Sequence, residues 1–448
     1  MGWGHRNGGS MTRRVLHRVP CALVALGLTA FLATSGALCA RRAQELSGTG
    51  AVEQPGLDAA YAEGVDAAAG RASGSARPSR LETNLTYTSL DAPGDGTATA
   101  RVTWDDAWFA ADEAAYNHEL ALVSSVLAAL AYAESGYYQA PESHPPYMEN
   151  ALAALGFADV STESYRYRSK VVDEVLDLVT SDADGVAYTI ARKHLDTGSG
   201  RPRDLILVSA RGSYGSEWLS NLDLSRSEND DHGGYARAAR EVGAEILTWA
   251  GESRASGAEV SVLLVGHSRG GAVANLVAAE LDGYRDREDD PISSVYAYTF
   301  ATPATTLASD ARSDRYDNIF NIANPSDIMP YLPLEAWGYE RYGVDLELPS
   351  VDDPGFSALE EEMRAVYRDT VGVECAADSA DVLIARAVCD DIAAGVGSVE
   401  ELVTPGGALT AFRSLATHVD PVRILYSHYP GTYICWMSVT RPTQLGVR

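Results

Sequence analysis

A Gly-x-Ser-x-Gly sequence lies between a predicted strand and a predicted helix of this 448-residue chain. Val260–Gly266 has the aliphatic run of a buried strand, and Gly270–Leu281 follows as a helix. The flanking glycines permit a sharp, strained turn that would project Ser268 above the edge of a sheet. The helix N-terminus beneath it would favour developing negative charge. An ordinary glycine-rich turn is the alternative, but this context favours a nucleophilic serine.

Strand-like and helix-like segments alternate along the chain on both sides of this turn. Continuous aliphatic runs such as Leu205–Ala210 are typical of strands buried on both faces. The alternation predicts an α/β fold with a mostly parallel central sheet flanked by helices. The other predicted strands are Val186–Ala191, Val295–Phe300 and Ile319–Ile322, and the other predicted helices are Asp112–Ala133 and Gly234–Trp249.

A serine nucleophile needs a base, and the base needs an acid that orients it. On a strand–turn–helix of this kind the acid follows the serine, and the histidine follows the acid. Only His418 and His428 satisfy that order. We favour His428, in a Gly/Pro loop that enters an apolar segment, over His418, which ends a predicted helix. Asp327 lies just after the strand Ile319–Ile322 and is the predicted acid; the alternative role is a turn cap beside proline.

An oxyanion would need backbone N–H donors near Ser268. One is expected from Arg269, the next residue, and the other from Ser213, after the strand Leu205–Ala210. A simple turn is the alternative for the segment of Ser213. Trp218 and Leu219 lie on the short amphipathic turn that follows. They predict either a hinged lid over an apolar pocket or two core anchors.

The sequence resembles the class 3 (fungal-type) lipases of the α/β-hydrolase superfamily. The resemblance spans roughly residues 186–343 and the region of His428. It implies that Ser268 is the nucleophile, Asp327 the acid, His428 the base and Ser213 an oxyanion residue. The motifs that carry it are Ala210–Ser213 with the Trp218 segment, His232–Tyr235, the turn Gly266–Gly271, Thr299–Pro303, and Asn324–Pro330 with the following Leu332-Pro333.

Three departures from the family pattern concern specificity more than chemistry. Arg269 replaces the usual leucine and places a cation beside the nucleophile, and Ala210 replaces phenylalanine. The long interval from Asp327 to His428 predicts a helical, acidic insertion over residues 344–420. Within it Ser357 and Glu360 have the spacing of a capping box.

Charge and residue spacing exclude several classes of function. The formal net charge is −27, and residues 1–44 hold six arginines and no acidic residue, so the remainder carries −33. Nucleic-acid binding needs a basic face, so we expect none. The cysteines and histidines lack zinc-ligand spacing, and the acidic turns at 182–185 and 286–290 lack enough spaced ligands for calcium. We therefore expect neither a metal nor a cofactor.

The N-terminal region predicts export. A basic run, Met11–Arg18, precedes Cys21–Ala40, which is twenty residues without a charge and ends in small residues. We predict that residues 1–40 are a signal peptide, although this length also suits an uncleaved membrane anchor. Either case makes the protein secreted or cell-surface. In an oxidising compartment Cys375 and Cys389 would either close a small loop or remain thiols.

The predicted organisation is a leader (1–40), a flexible low-complexity spacer (41–100) and one α/β-hydrolase domain (101–448). Order is expected from near Val102, and Ile424–Ser438 is expected to be strand-like or a loop. The expected function is cleavage of carboxylic esters of lipids, with a lipid–water interface as the place of action. The alternatives are a carboxylesterase or phospholipase acting on more polar esters, and a non-catalytic cell-surface binding scaffold. The sequence leaves the oligomeric state open.

Overall fold

The computed structural model describes residues 79–90, 92, 96–139, 144–168, 186–195, 202–213, 231, 233–284, 290–402, 404–418 and 426–447. The strands are β1 (Arg80–Thr88), β2 (Thr97–Asp105), β3 (Asp159–Ser161), β4 (Tyr188–Leu195), β5 (Arg203–Ala210), β6 (Glu259–His267), β7 (Ser294–Phe300), β8 (Ile319–Ala323), β9 (Val344–Glu347) and β10 (Gly446–Val447). The helices are α1 (His118–Gln139), α2 (Tyr147–Leu155), α3 (Glu163–Arg168), α4 (Gly233–Ala255), α5 (Arg269–Tyr284), α6 (Phe356–Val371), α7 (Asp381–Gly395), α8 (Val399–Leu402), α9 (Pro405–His418) and α10 (Pro430–Val439).

Eight of these strands form one sheet in the order β10-β9-β8-β7-β6-β5-β4-β3. Strands β5 to β9 are parallel, and β3, β4 and β10 are antiparallel to their neighbours at the edges. Both faces of this sheet are buried, and alternate residues of a strand pack on opposite faces. In β6, Val262 and Leu264 pack with residues of α4 and α5 in one hydrophobic cluster. Leu263 and Val265 pack with residues of α1 and α10 in the larger hydrophobic cluster, the main core. This is the α/β fold with a mostly parallel central sheet that the strand–helix alternation predicts.

The elements around Ser268 match their predicted bounds closely. The strand predicted as Val260–Gly266 is β6, and the helix predicted as Gly270–Leu281 is α5, which continues to Tyr284. Helix α1 begins at His118 rather than at Asp112, because the Asn117 side chain accepts a hydrogen bond from the Leu120 N–H at 3.1 Å and caps the helix there. Helix α1 is long and apolar enough to cross a membrane, but 83% of that stretch is buried inside the protein, as in a core helix.

The spacer boundary at residue 100 was wrong, because Arg80–Thr88 and Thr97–Asp105 pair as the β1–β2 hairpin. Alternate side chains of the hairpin, including Tyr87 and Trp104, are buried in the main core. The period of two is the signal of a half-buried strand, and the small and polar residues between these side chains hid it. Order therefore begins well before Val102. Residues 1–78, which include the predicted leader and most of the predicted spacer, lie outside the described residues.

A buried ion pair fastens the hairpin to the sheet. The ammonium group of Lys193, on β4, lies 2.5 Å from Oδ1 of Asp106 and 2.8 Å from the carbonyl oxygen of Leu155. The indole N–H of Trp104 donates to the same Asp106 oxygen at 2.7 Å. Both charged side chains are less than 10% exposed. The pair joins the segment after β2 to the antiparallel edge of the sheet.

The predicted helical insertion is present but begins later than residue 344. Residues 344–347 are β9, which lies between β8 and β10 inside the sheet. Helix α6 follows Gly355 without a side-chain cap, so the capping box at Ser357 was wrong. Glu360 instead accepts hydrogen bonds from Arg364 and Ser379.

Helix α7 of the insertion packs on the loop that holds Asp327. Its Val388 and Ile392 contact Ile328 and Met329 in a small apolar cluster. Cys389 packs at the edge of this cluster, whereas Cys375 belongs to the main core. No disulfide joins these two cysteines in the described structure.

The C-terminal segment was predicted wrongly as strand-like or loop. Pro430–Val439 is the helix α10, and its residues from Pro430 to Met437 are buried. A helix that is apolar on all sides shows no 3.6-residue periodicity, so its sequence pattern resembles that of a buried strand. Proline at the first helical position was the usable signal.

Candidate active site

Ser268 lies on a strained turn between β6 and α5. Its φ angle is 57°, in the left-handed region that non-glycine residues rarely adopt. The backbone of the turn packs closely against itself and against the end of β5. A Cβ on Gly266 would clash with the carbonyl of Gly270, and a Cβ on Gly270 would clash with the end of β5. The two glycines of the motif therefore allow the close approach that places the Ser268 hydroxyl at the carboxyl edge of the sheet.

The structure brings Ser268, His428 and Asp327 together. The distance from His428 Nε2 to Ser268 Oγ is 3.1 Å, and the distance from His428 Nδ1 to Asp327 Oδ2 is 2.8 Å. The three residues are 2%, 6% and 0% exposed. His418, the alternative histidine, is instead on the insertion, where its Nε2 lies 2.9 Å from Asp391 Oδ2.

The position of the proton on the His428 ring follows from its two hydrogen-bond partners. The Asp327 carboxylate can only accept, so Nδ1 of His428 carries a proton and donates it. Nε2 of the neutral ring then has a lone pair and accepts from the Ser268 hydroxyl. This is the arrangement in which histidine can take the serine proton as a general base.

Asp327 has two further donors that the sequence analysis missed. The Tyr433 hydroxyl, on α10, donates to Asp327 Oδ2 at 2.8 Å, and the Met329 N–H donates to Oδ1 at 2.9 Å. Burial and the neighbouring Asp327 raise the pKa of Tyr433 well above its usual value, so Tyr433 stays a donor. These hydrogen bonds compensate the burial of the carboxylate, which accepts no hydrogen bond from a lysine or arginine in the part of the chain that the structure describes.

The loops of the acid and the base are also tied to each other. The Asn324 side-chain amide donates to the carbonyl of Ser427 at 2.9 Å, and its backbone N–H donates to the Tyr433 hydroxyl at 3.0 Å. Asn324 opens the acid loop, and Ser427 directly precedes His428. Their contact therefore holds the two loops at a fixed separation.

A second histidine, His267, packs directly against the base. The ring centroids of His267 and His428 are 4.8 Å apart. Burial, together with His428, lowers the pKa of His267 well below its usual value, so this ring is neutral. In the sequence, His267 is one of the two variable positions of the Gly-x-Ser-x-Gly motif and carries no other signal of a role.

The two predicted oxyanion residues follow β6 and β5 in the fold. Arg269 is the first residue of α5 and is half-buried, and Ser213 is the third residue after β5 and is also half-buried. Between β5 and Ser213, the buried Arg211 donates to Ser135 Oγ on α1 at 2.6 Å. Trp218 and Leu219, the predicted lid residues, lie outside the described residues, as does His232.

Among the residues that the structure describes, no group of three or more histidine, cysteine or acidic side chains has an arrangement that could hold a metal ion. The acidic turn at 182–185 and most of the turn at 286–290 lie outside those residues.

Comparison with known proteins matches a segment of the chain that contains Ser268 and Asp327 but not His428. The family model of Lipase (class 3) matches residues 207–337. A secreted mono- and diacylglycerol lipase of Fusarium solani is 26% identical over 146 residues, which are 31% of this chain and 42% of that protein. The chain thus spans less than half the length of this curated relative.

Solved structures of fungal lipases show low overall similarity to this chain. A triacylglyceride lipase of Rhizomucor miehei is 24% identical, with a TM-score of 0.29, over 36% of this chain and 62% of that chain. A lipase of Rhizopus microsporus var. chinensis is 17% identical, with a TM-score of 0.34, over 52% of this chain and 75% of that chain. The resemblance to the class 3 lipase family of the α/β-hydrolase superfamily is confirmed by the family match, which contains both the Ser268 turn and the Asp327 loop.

Proposed function

We propose that the protein is a serine ester hydrolase that cleaves carboxylic esters of lipids through an acyl-enzyme on Ser268. The observation that carries the proposal is the pair of hydrogen bonds at His428, which accepts from the Ser268 hydroxyl and donates to Asp327. They link a hydroxyl on a strained turn to a base, and the base to a buried acid. The lipase family match supports the same reaction class.

The proposed reaction begins when the Ser268 oxygen attacks the ester carbonyl while its proton passes to His428 Nε2. The resulting imidazolium is stabilised by Asp327, which Tyr433 and the Met329 N–H hold in place. The backbone N–H groups of Arg269 and Ser213 would stabilise the oxyanion. His428 then protonates the leaving alcohol, and the acyl group remains on Ser268. Water, deprotonated by His428, releases the acid and regenerates the serine.

Neutral lipid esters are the proposed substrate class. The Fusarium solani relative is named for mono- and diacylglycerols. The charge of −33 outside residues 1–44 gives little attraction to an anionic bilayer, which favours neutral or dispersed esters. The half-buried Arg269 beside Ser268 is the feature that favours the alternative, a more polar ester with a phosphate or carboxylate nearby.

The proposed location is outside the cytoplasm, either secreted or at the cell surface. The uncharged stretch Cys21–Ala40 after a basic run supports export, and the curated relative is named as secreted. We also propose one α/β-hydrolase domain with a helical insertion as the organisation of the chain from the hairpin onward.

Hydrolysis of p-nitrophenyl butyrate tests the proposed function. We expect Ser268→Ala and His428→Ala to reduce kcat at least about 10³-fold, as for other Ser-His-Asp hydrolases. Ser261→Ala is the matched control: this serine is buried in β6, the strand that precedes Ser268, and its Oγ lies 2.8 Å from that of Ser294. Turnover that survives Ser268→Ala in the folded protein, or no turnover of any ester by the unaltered chain, would contradict the proposal.

A series of substrates divides the two ester classes. We expect long-chain glycerides presented as an emulsion to be cleaved with higher kcat/KM than short soluble esters. If phosphate-bearing or carboxylate-bearing esters are preferred and Arg269→Leu removes that preference, the alternative substrate class is the right one.

A further inference from the structure

One buried tyrosine of α1 contacts both sides of the proposed site. Tyr132 is 3% exposed, and its hydroxyl lies 3.0 Å from Nδ1 of His267. The other ring nitrogen of His267, Nε2, lies 2.7 Å from the main-chain carbonyl oxygen of His428. A chain of two hydrogen bonds therefore runs from α1, through the residue before Ser268, to the backbone of the proposed base. Helix α1 lies before residue 207, outside the segment that the lipase family model matches.

The direction of both hydrogen bonds is fixed by chemistry. A carbonyl oxygen only accepts, so Nε2 of His267 must carry the proton. The ring is neutral because burial and His428 lower its pKa, so Nδ1 has a lone pair. Tyr132 must then be the donor to Nδ1, and burial raises the pKa of this phenol, which keeps it protonated.

The same hydroxyl touches the loop that carries Ser213. A Cβ on Gly212 would clash with the Tyr132 hydroxyl and would come within 2.6 Å of the carbonyl oxygen of His267. Gly212 is therefore packed directly against both groups. Its neighbour in sequence is Ser213, the proposed oxyanion residue.

We propose that Tyr132 and His267 are positioning residues, which fix the His428 loop and the Ser213 loop relative to Ser268 through one continuous contact. The inference rests on the proposed function, since it assigns roles within the same site. Neither side chain needs to touch the ester. Tyr132 acts through His267, and His267 acts through the backbone of His428.

Such positioning matters because the base must hold a short hydrogen bond to Ser268 while its charge changes. His428 becomes a cation during acylation, and the His267 ring beside it must remain neutral. The tyrosine donor fixes that neutral tautomer, since a proton on Nδ1 would remove the acceptor that Tyr132 needs. Small displacements of a catalytic group can cost about 10²-fold in rate, so loss of this contact should be visible in turnover.

The rate of Ser268 phosphonylation by a fluorophosphonate tests the inference. We expect Tyr132→Phe to lower this rate and kcat for p-nitrophenyl butyrate about 10-fold, with KM within about twofold of the unaltered protein. Tyr296→Phe is the matched control, because it also removes a buried tyrosine hydroxyl that donates one hydrogen bond, at 2.7 Å to the Ala111 carbonyl. It should react at the unaltered rate.

Substitutions at His267 show whether Tyr132 acts through it. His267→Gln can still donate to the His428 carbonyl and should retain most of the rate, whereas His267→Leu should lose about 10-fold. In the His267→Leu background, Tyr132→Phe should cost much less than the roughly 10-fold expected in the unaltered protein, because only the contact of its hydroxyl with Gly212 is then lost. A full additional loss there would mean that Tyr132 acts by another route and would overturn the inference.

Two other results would also overturn the inference. One is a Tyr132→Phe variant that reacts as fast as Tyr296→Phe. The other is equal rates for His267→Gln and His267→Leu, a comparison that decides the matter even if Tyr132→Phe does not fold. If the unaltered protein fails to react at all, the proposed function fails instead, so the two failures are distinguishable.

Discussion

At the scale of single residues, the sequence predicts the side chains whose proposed chemistry requires a recognisable local pattern. It misses the residues that hold those side chains in position. Ser268 could be recognised because its turn requires a strand, glycines and a helix in one order. Asp327 and His428 follow from chain order and from the position of a strand end. Tyr433, His267 and Tyr132 carry no such local signature. Their roles depend on tertiary packing that places their polar atoms beside a carboxylate or a loop carbonyl.

Removal of the Tyr433 hydroxyl should weaken the support of Asp327. Tyr433→Phe deletes one of the three hydrogen bonds that Asp327 accepts, and the backbone of Asn324 also loses its partner. We expect a loss of about 1–3 kcal/mol in the free energy of unfolding. We also expect kcat to fall with KM nearly unchanged. Urea unfolding and ester kinetics measure the two effects, and an unaltered kcat would contradict the assigned support.

Glu134 should make the stability depend on pH. Burial and the neighbouring Glu149 raise the pKa of Glu134 from 4.5 to about 7. Between those values the unfolded chain releases this proton while the native protein keeps it, so the residue increasingly destabilises the fold as the pH rises. The cost reaches about 3 kcal/mol and is constant above the native pKa.

The variant Glu134→Gln removes this titration. Its free energy of unfolding relative to the unaltered protein should increase from pH 4.5 to pH 7.5, as measured by urea unfolding at both values. A difference that is the same at the two pH values would show that Glu134 does not titrate in this way.

At the scale of elements, the sequence is informative where hydrophobic periodicity and burial agree. The core strands were found because buried parallel strands are continuous aliphatic runs. The helices α4 and α5 were found because they alternate with those runs. The β1–β2 hairpin and α10 were missed for opposite reasons. The hairpin has large apolar residues at few positions, so composition concealed its period of two. Helix α10 has apolar residues on every side, so no helical period is visible.

The Lys193–Asp106 pair should be a strong determinant of hairpin docking. Lys193→Met leaves a buried carboxylate without its cation, and we expect a loss of about 3–5 kcal/mol in the free energy of unfolding. The double variant Lys193→Met/Asp106→Leu should recover part of that loss, since no unpaired charge then remains. Urea unfolding of the single and double variants measures both effects.

The exposed pair Arg80–Glu119 at the same hairpin is the control. Its breakage by Arg80→Gln should leave the urea midpoint nearly unchanged, because solvent screens exposed ion pairs. If Arg80→Gln and Lys193→Met are equally destabilising, burial is not what makes the inner pair matter.

At the scale of the whole molecule, charge and topology limit the partners. The parallel sheet brings the loops after β5, β6 and β8 to one edge, where Ser213, Ser268 and Asp327 are placed, and the insertion packs behind the acid loop. The strongly acidic composition predicts the sign of the surface charge, but it could not predict how the insertion folds. That depends on the apolar contacts between α7 and Ile328 and Met329.

The acidic surface should disfavour anionic membranes. We expect adsorption to vesicles of neutral phospholipid to be equal to or stronger than adsorption to vesicles with added anionic lipid at low salt, as measured by co-sedimentation. Binding that strengthens with anionic lipid content would show that a local basic surface outweighs the net charge.

If Ser268 forms the covalent intermediate, a fluorophosphonate will trap it there, and mass spectrometry of the trapped protein can locate the added group. After reaction of the folded protein with a fluorophosphonate, we expect one added group per chain, on the peptide that contains Ser268. We also expect the His428→Ala variant to react far more slowly. A folded protein that acquires no label, or that acquires it on a residue other than Ser268, would show that Ser268 is not the nucleophile.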